Sequence, residues 1–126
     1  MKTTLSALVL SLALAVPGLV AAAPTGPAPG RVDGATAKAL VGAGAKLVDV
    51  RMPDEFASGH VPGAVNIPLH ELTSRLAEVG PTSTKVVVYC RSGSRSASAL
   101  KSLQRAGYAN VYDMGPATAW PGKLVR

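Results

Sequence analysis

The residues best equipped for chemistry stand together in Cys90-Arg91-Ser92-Gly93-Ser94-Arg95. Cys90 is the only cysteine in the 126 residues, so any thiol chemistry runs through it. It follows the β-branched run Lys85-Val86-Val87-Val88-Tyr89, which reads as a strand. A segment with helical spacing comes next, so the stretch is a strand-to-helix loop. Gly93 permits positive φ, which lets the loop curl and aim several N–H groups inward. The following helix adds its own free N–H groups and the positive end of its dipole. Thiolates beside Arg or at helix N-termini reach pKa values of ~3.5–7.5, against ~8.5 for a free thiol. The competing reading is a buried structural thiol. Against it, no bulky apolar residue occurs from 91 to 99. Arg95 also stands at the start of a helix, where a cation is unfavourable by roughly 0.3–1 kcal/mol. A bound anion or a thiolate would offset that cost.

Loop length narrows the chemistry. Loops of the tyrosine-phosphatase type hold one more residue between Cys and Arg, which makes room for a phosphate tetrahedron. The shorter cradle here suits one transferred sulfur atom, and it disfavours a phosphatase or an arsenate reductase.

The elements that must position this loop can be read along the chain. Asp33 caps a helix running to about Val41, ended by Gly42 and Gly44. Lys46 to Val50 is a short apolar run, as in a buried parallel strand. Pro53 to Phe56 reads as one helical turn, with Pro first and acids in the first turn. Gly59 to Gly63 is turn chemistry, and Ala64 to Ile67 is a further strand, stopped by Pro68. Leu72, Leu76 and Val79 predict a helix over 70–79. Ser96 to Ala106 is helical, with Ala97, Leu100 and Leu103 inward and Gly107 at its C-cap. Asn110-Val111-Tyr112 is the last strand. Alternation of strand and helix predicts an α/β fold with a mostly parallel sheet, and ligands then bind beyond the carboxyl ends of the strands.

Composition and charge exclude several classes. The 126 residues permit one domain. A single cysteine excludes an intrachain disulfide framework and paired-cysteine zinc. The 13 Lys+Arg against 7 Asp+Glu give a net charge of +6, but the basic residues are scattered and aromatics are few. That is no nucleic-acid surface. Met1-Lys2, the apolar stretch Leu5 to Val16, Pro17-Gly18 and the small residues Ala21 to Ala23 form the pattern of a secretory signal peptide. Residues 1–22 are expected to be removed, with Val20 and Ala22 as the recognition residues and Ala23 as the alternative cleavage point. An uncleaved membrane anchor over 5–23 is the rival, and the Pro-Gly break argues against it. Residues 23–30, rich in proline and glycine, read as a linker, and 31–126 as the single domain. The expected location is periplasmic or secreted, with no stable membrane insertion after cleavage.

Three stretches carry a family resemblance: Leu47-Val48-Asp49-Val50-Arg51 with Glu55-Phe56 and Gly59 to Pro68, then Val87 to Ser96, then Ala106 to Tyr108 with Asn110 to Tyr112 and Gly115 to Trp120. Together, over about residues 34–122, they resemble the rhodanese-like domain, and the size and leader resemble its single-domain periplasmic members. Gly115-Pro116 departs from the two glycines usual there, which bears on the local turn. The resemblance implies a five-stranded, mostly parallel sheet flanked by helices on both faces. It implies a sulfurtransferase of the thiosulfate type. Cys90 would take the outer sulfur of an anionic donor as a persulfide and hand it to a thiophilic acceptor such as cyanide or a thiol. Arg91, Ser92, Gly93, Ser94 and Arg95 would bind the donor, with no metal or organic cofactor. The alternative is a non-enzymatic persulfide carrier serving a protein partner. Asp49 and Arg51 read as a bracing ion pair, His60 as a turn-fixing residue, His70 as a capping or exposed residue and Trp120 as packing.

Overall fold

The computed structural model describes residues 26–126. The expected export segment, 1–22, and the start of the expected linker lie outside the described residues. Five parallel strands form one sheet: β1 Gly30–Arg31, β2 Lys46–Asp49, β3 Val65–Asn66, β4 Val86–Cys90 and β5 Val111–Pro116, in the order β1-β5-β4-β2-β3. The helices are α1 Gly34–Gly42, α2 Pro53–Ser58, α3 Leu76–Val79 and α4 Ser94–Arg105, with 3-10 segments at Leu69–Ser74 and Ala117–Ala119.

Strand alternation sends side chains to two separate cores. Val86, Val88 and Cys90 pack with Leu72, Val79, Ala99 and Leu103 on the face covered by α3 and α4. Val87 and Tyr89 pack with Ala37 and Leu40 of α1, and with Tyr112 and Met114 of β5, on the other. The central position of β4 is why its five residues are all buried. A strand buried on both faces must be apolar throughout, and VVVYC is. Asp33 caps α1 as expected, its Oδ1 accepting the Thr36 N–H at 2.8 Å.

Several elements differ from the sequence reading. No strand is predicted at Gly30–Arg31, and two residues are too few to show a period. β1 exists through its pairing with β5, Gly30 opposite Tyr112 and Arg31 opposite Asp113. The helix predicted over 70–79 is a 3-10 segment and then α3, broken at Arg75 with φ −123° and ψ 29°. Arg75 leaves the helical conformation while its guanidinium binds Glu78 and reaches the Asn66 carbonyl. α4 begins at Ser94, two residues early, and buries Ser96, Ala99 and Leu103, with Ala97 and Leu100 only half-buried. β5 runs on through Gly115-Pro116, so this pair forms strand rather than a turn. Its register shifts opposite Val88/Tyr89, where Gly115 has φ 81° and donates its N–H to Asp113 Oδ1 at 2.8 Å.

Candidate functional site

Cys90 ends β4, and its side chain has no solvent exposure. The chain then turns through Arg91-Ser92 to Gly93, whose φ of 98° is the left-handed conformation glycine adopts without strain. This turn brings the Gly93 N–H to 3.0 Å from Cys90 Sγ. Ser96, one turn into α4 and fully buried, holds its hydroxyl oxygen 3.5 Å from Sγ and 3.1 Å from the Gly93 carbonyl oxygen. The neutral thiol donates to Ser96 Oγ, and on ionisation the hydroxyl can rotate to donate back. Burial pushes the Cys90 thiol up and is the largest single influence. Hydrogen bonds from the Ser96 hydroxyl and from the backbone N–H groups of Ser96, Gly93 and Ser92 outweigh it together, and the thiol lies below its ordinary value. The groups that favour the thiolate are therefore the loop and Ser96.

The loop cations divide. Arg95 faces Glu55 of α2 in a bidentate pair, Nη1 to Oε1 at 2.6 Å and Nη2 to Oε2 at 3.0 Å. The side chains are 32% and 23% exposed. Arg95 chiefly pulls the Glu55 carboxyl down, to about 2, against the upward push of burial. Glu55 also accepts the Met52 N–H at 3.1 Å, so it caps α2 while anchoring the loop. The cation at the start of α4 is thus offset by a carboxylate of the protein itself, where the sequence suggested a bound anion or the thiolate. Arg91, Ser92 and Ser94 are exposed, and Arg91 has no hydrogen-bonding or ionic partner among the described residues.

The other singled-out residues make contacts of their own. Arg51 clamps Asp49 with Nε at 3.0 Å from both carboxylate oxygens and Nη2 at 2.6 Å from Oδ2, and both side chains are buried. Nη2 also donates to the Gly59 carbonyl at 2.7 Å, and the guanidinium lies 5.6 Å from the centre of the Tyr89 ring. Tyr89 hydroxyl accepts the Val61 N–H at 3.0 Å. The network ties the 59–63 turn to β2 and β4. His60 stacks on Phe56 at 3.7 Å, its Nδ1 2.9 Å from the Phe56 carbonyl oxygen, and its backbone pairs with Val125. His70 is exposed, 3.8 Å from Glu71, and Trp120 packs against the α1-side core.

Glu55 is not among the candidate site residues of the sequence, and Ser96 stands there only with Ser92 and Ser94 as a serine whose hydroxyl could donate, its backbone N–H counting for more. Glu55 is 40 residues from Arg95, and only the fold shows which carboxylate meets it. Ser96 had a local signal: a hydroxyl at a helix start, on the face that proves buried. A cleft of about 420 Å³ opens elsewhere, at the amino-terminal ends of β4 and β5, lined by Pro27, Lys85, Asn110 and Tyr112 among others. It lies at the end of the sheet opposite Cys90.

A parallel α/β domain whose central strand turns through a thiol-bearing, N–H-lined loop into a helix defines a thiol-dependent transfer architecture. The family model described as Rhodanese-like domain matches residues 34–120, and the chain belongs to that family. A sulfurtransferase of Allochromatium vinosum is 43% identical over 75 residues, 59% of this chain and 69% of that protein. The thiosulfate sulfurtransferase PspE of Escherichia coli is 41% identical over 69 residues, 54% of this chain and 66% of its own length. These matches thus span only about two thirds of each relative. The human single-domain sulfurtransferase TSTD1 superposes with a TM-score of 0.62 at 28% identity, covering 75% of this chain and 93% of that one.

Proposed function

We propose that the protein is a sulfurtransferase that moves a sulfane sulfur from thiosulfate, or a related anionic donor, to a nucleophilic acceptor through a Cys90 persulfide. Family membership supports sulfur transfer in general. The observation that carries the finer reading is the Gly93 N–H at 3.0 Å from a buried Cys90 Sγ whose ionisation the loop favours. The Cys90 thiolate attacks the outer sulfur of thiosulfate. A new S–S bond forms, the donor's S–S bond breaks, and sulfite leaves with the electron pair. The inward N–H groups of the loop hold the terminal sulfur of the persulfide as they hold the thiolate. Cyanide or a thiolate then attacks that sulfur, and Cys90 returns as thiolate. Ser92, Gly93 and Ser94 line the donor through their backbone, and Arg91 and Arg95 add positive charge, that of Arg95 tempered by Glu55. Residues 1–22 act as an export signal on this reading, and the reaction runs outside the cytoplasm.

Steady-state assay with thiosulfate and cyanide tests the enzyme. Parallel lines in double-reciprocal plots, with activity in Cys90→Ser no higher than a protein-free control, are the expected result. A persulfide that loads once and passes only to another protein would favour the carrier instead.

A further inference from the structure

Arg95, the loop cation nearest the start of α4, is committed to Glu55, which leaves Arg91 as the loop cation to read the charge of an anionic donor. A cation from outside the loop is placed for this. Arg31 ends β1, and its guanidinium reaches over β5 to the thiol loop. A Cβ on Gly93 would stand 3.7 Å from Arg31 Nη1, and one on Gly115 would collide with the same guanidinium. Two glycines thus flank the guanidinium, and one of them, Gly93, gives its N–H to Cys90 Sγ. This position leaves the charge weakly used. The Arg31 side chain is 62% exposed, and its single ionic contact among the described residues is a 4.0 Å approach to Asp113 Oδ2. Asp113 spends its other oxygen on the Gly115 N–H. Arg31 also lies before residue 34, where the family match begins.

We propose that Arg31 is a specificity-determining residue that selects anionic donors at the mouth of the Cys90 loop. Its planar fork presents N–H groups suited to the sulfonate oxygens of thiosulfate while the outer sulfur points to Cys90. The proposal rests on the sulfur-transfer reading and adds the residue that sets donor preference. An Arg31 that merely braces the β5 bulge would influence every donor alike.

The test measures the second-order rate of Cys90 persulfide formation in the full chain, in Arg31→Gln and in Arg31→Lys. Thiosulfate, a dianion, is compared with benzenethiosulfonate, a monoanion with the same outer sulfur, at low and high salt. Arg31→Gln is expected to slow thiosulfate loading by about 3- to 10-fold at low salt, with smaller losses for the monoanion and at high salt. Arg31→Lys retains most of the rate, and discharge of the preformed persulfide by cyanide is unchanged. Equal losses for both donors at both salt levels, or no loss, would overturn the role of Arg31 while leaving sulfur transfer standing. Failure of both donors to load the unsubstituted chain would overturn both.

Discussion

Cys90 combines full burial with a lowered thiol pKa, two properties that ordinarily oppose each other. The reconciliation lies in three backbone N–H groups and one hydroxyl aimed at a single sulfur. Ser96→Ala removes the hydroxyl and should raise the thiol pKa, slowing sulfur loading near neutral pH by about 2- to 10-fold, the net worth of a typical hydrogen bond of about 0.5–1.5 kcal/mol. In the unsubstituted protein, loading should rise with pH and level off below the ordinary thiol range. Loading rates across pH for the two proteins check both statements, and coincident profiles would remove Ser96 from the site. Cys90 was legible in the sequence because its loop has only small and cationic residues after a strand of valines. The source of its acidity was not: the sequence pointed to a neighbouring Arg, and the structure points to hydrogen bonds. Which serine of three faces the sulfur depends on where α4 begins, and helix starts are the least sharply encoded positions in a chain.

At the scale of elements, the loop is held where α2 meets α4. Arg95 and Glu55 join them through two charge-assisted hydrogen bonds. The folded Glu55 carboxyl titrates at about 2, against 4.5 when free. Because the folded value is the lower one, the pair stabilises the fold fully above the free value, and the contribution is lost as pH falls from about 4.5 to about 2. Glu55→Gln should therefore lower stability at pH 7 by on the order of 1–2 kcal/mol, after allowance for partial exposure, and the difference should shrink toward pH 2. Denaturant unfolding of both proteins at pH 7 and pH 2.5 tests this, and a difference independent of pH would contradict it. The sequence shows an acidic first turn in α2 and a cation entering α4. Nothing local says that one meets the other, because the contact depends on β2 and β4, the strands that precede the two helices, lying side by side in the sheet. The same limit explains β1, a strand defined only by its partner, and the broken helix at Arg75, where side-chain contacts to Asn66 and Glu78 override a helical spacing that persists on both sides.

For the molecule as a whole, the sheet order places β4 centrally, and the 59–63 turn is fixed against β2 and β4. The buried Asp49–Arg51 pair, Tyr89 and the Gly59 carbonyl do this work. Arg51→Met should be strongly destabilising, by about 3–5 kcal/mol, because it leaves a buried carboxylate without its partner. Equilibrium unfolding measures it, and a cost under about 1 kcal/mol would show that the pair is incidental. Fold class was readable because the strand-helix alternation and the all-apolar run at 86–88 admit few arrangements. The bracing pair was readable as a pair, since its members lie two residues apart on one strand end. Its attachment to Gly59 and Tyr89 was not, because those contacts exist only once the sheet is assembled.

The central claim is a covalent one, that Cys90 carries the transferred sulfur, and intact-mass spectrometry tests it most directly. The protein exposed to thiosulfate and freed of excess donor should gain the mass of one sulfur atom, located on the peptide containing Cys90. Cyanide should remove it, and the Cys90→Ser variant should never acquire it. No added sulfur on Cys90 with thiosulfate or any other sulfane donor, or an adduct mapping to another residue, would contradict the account.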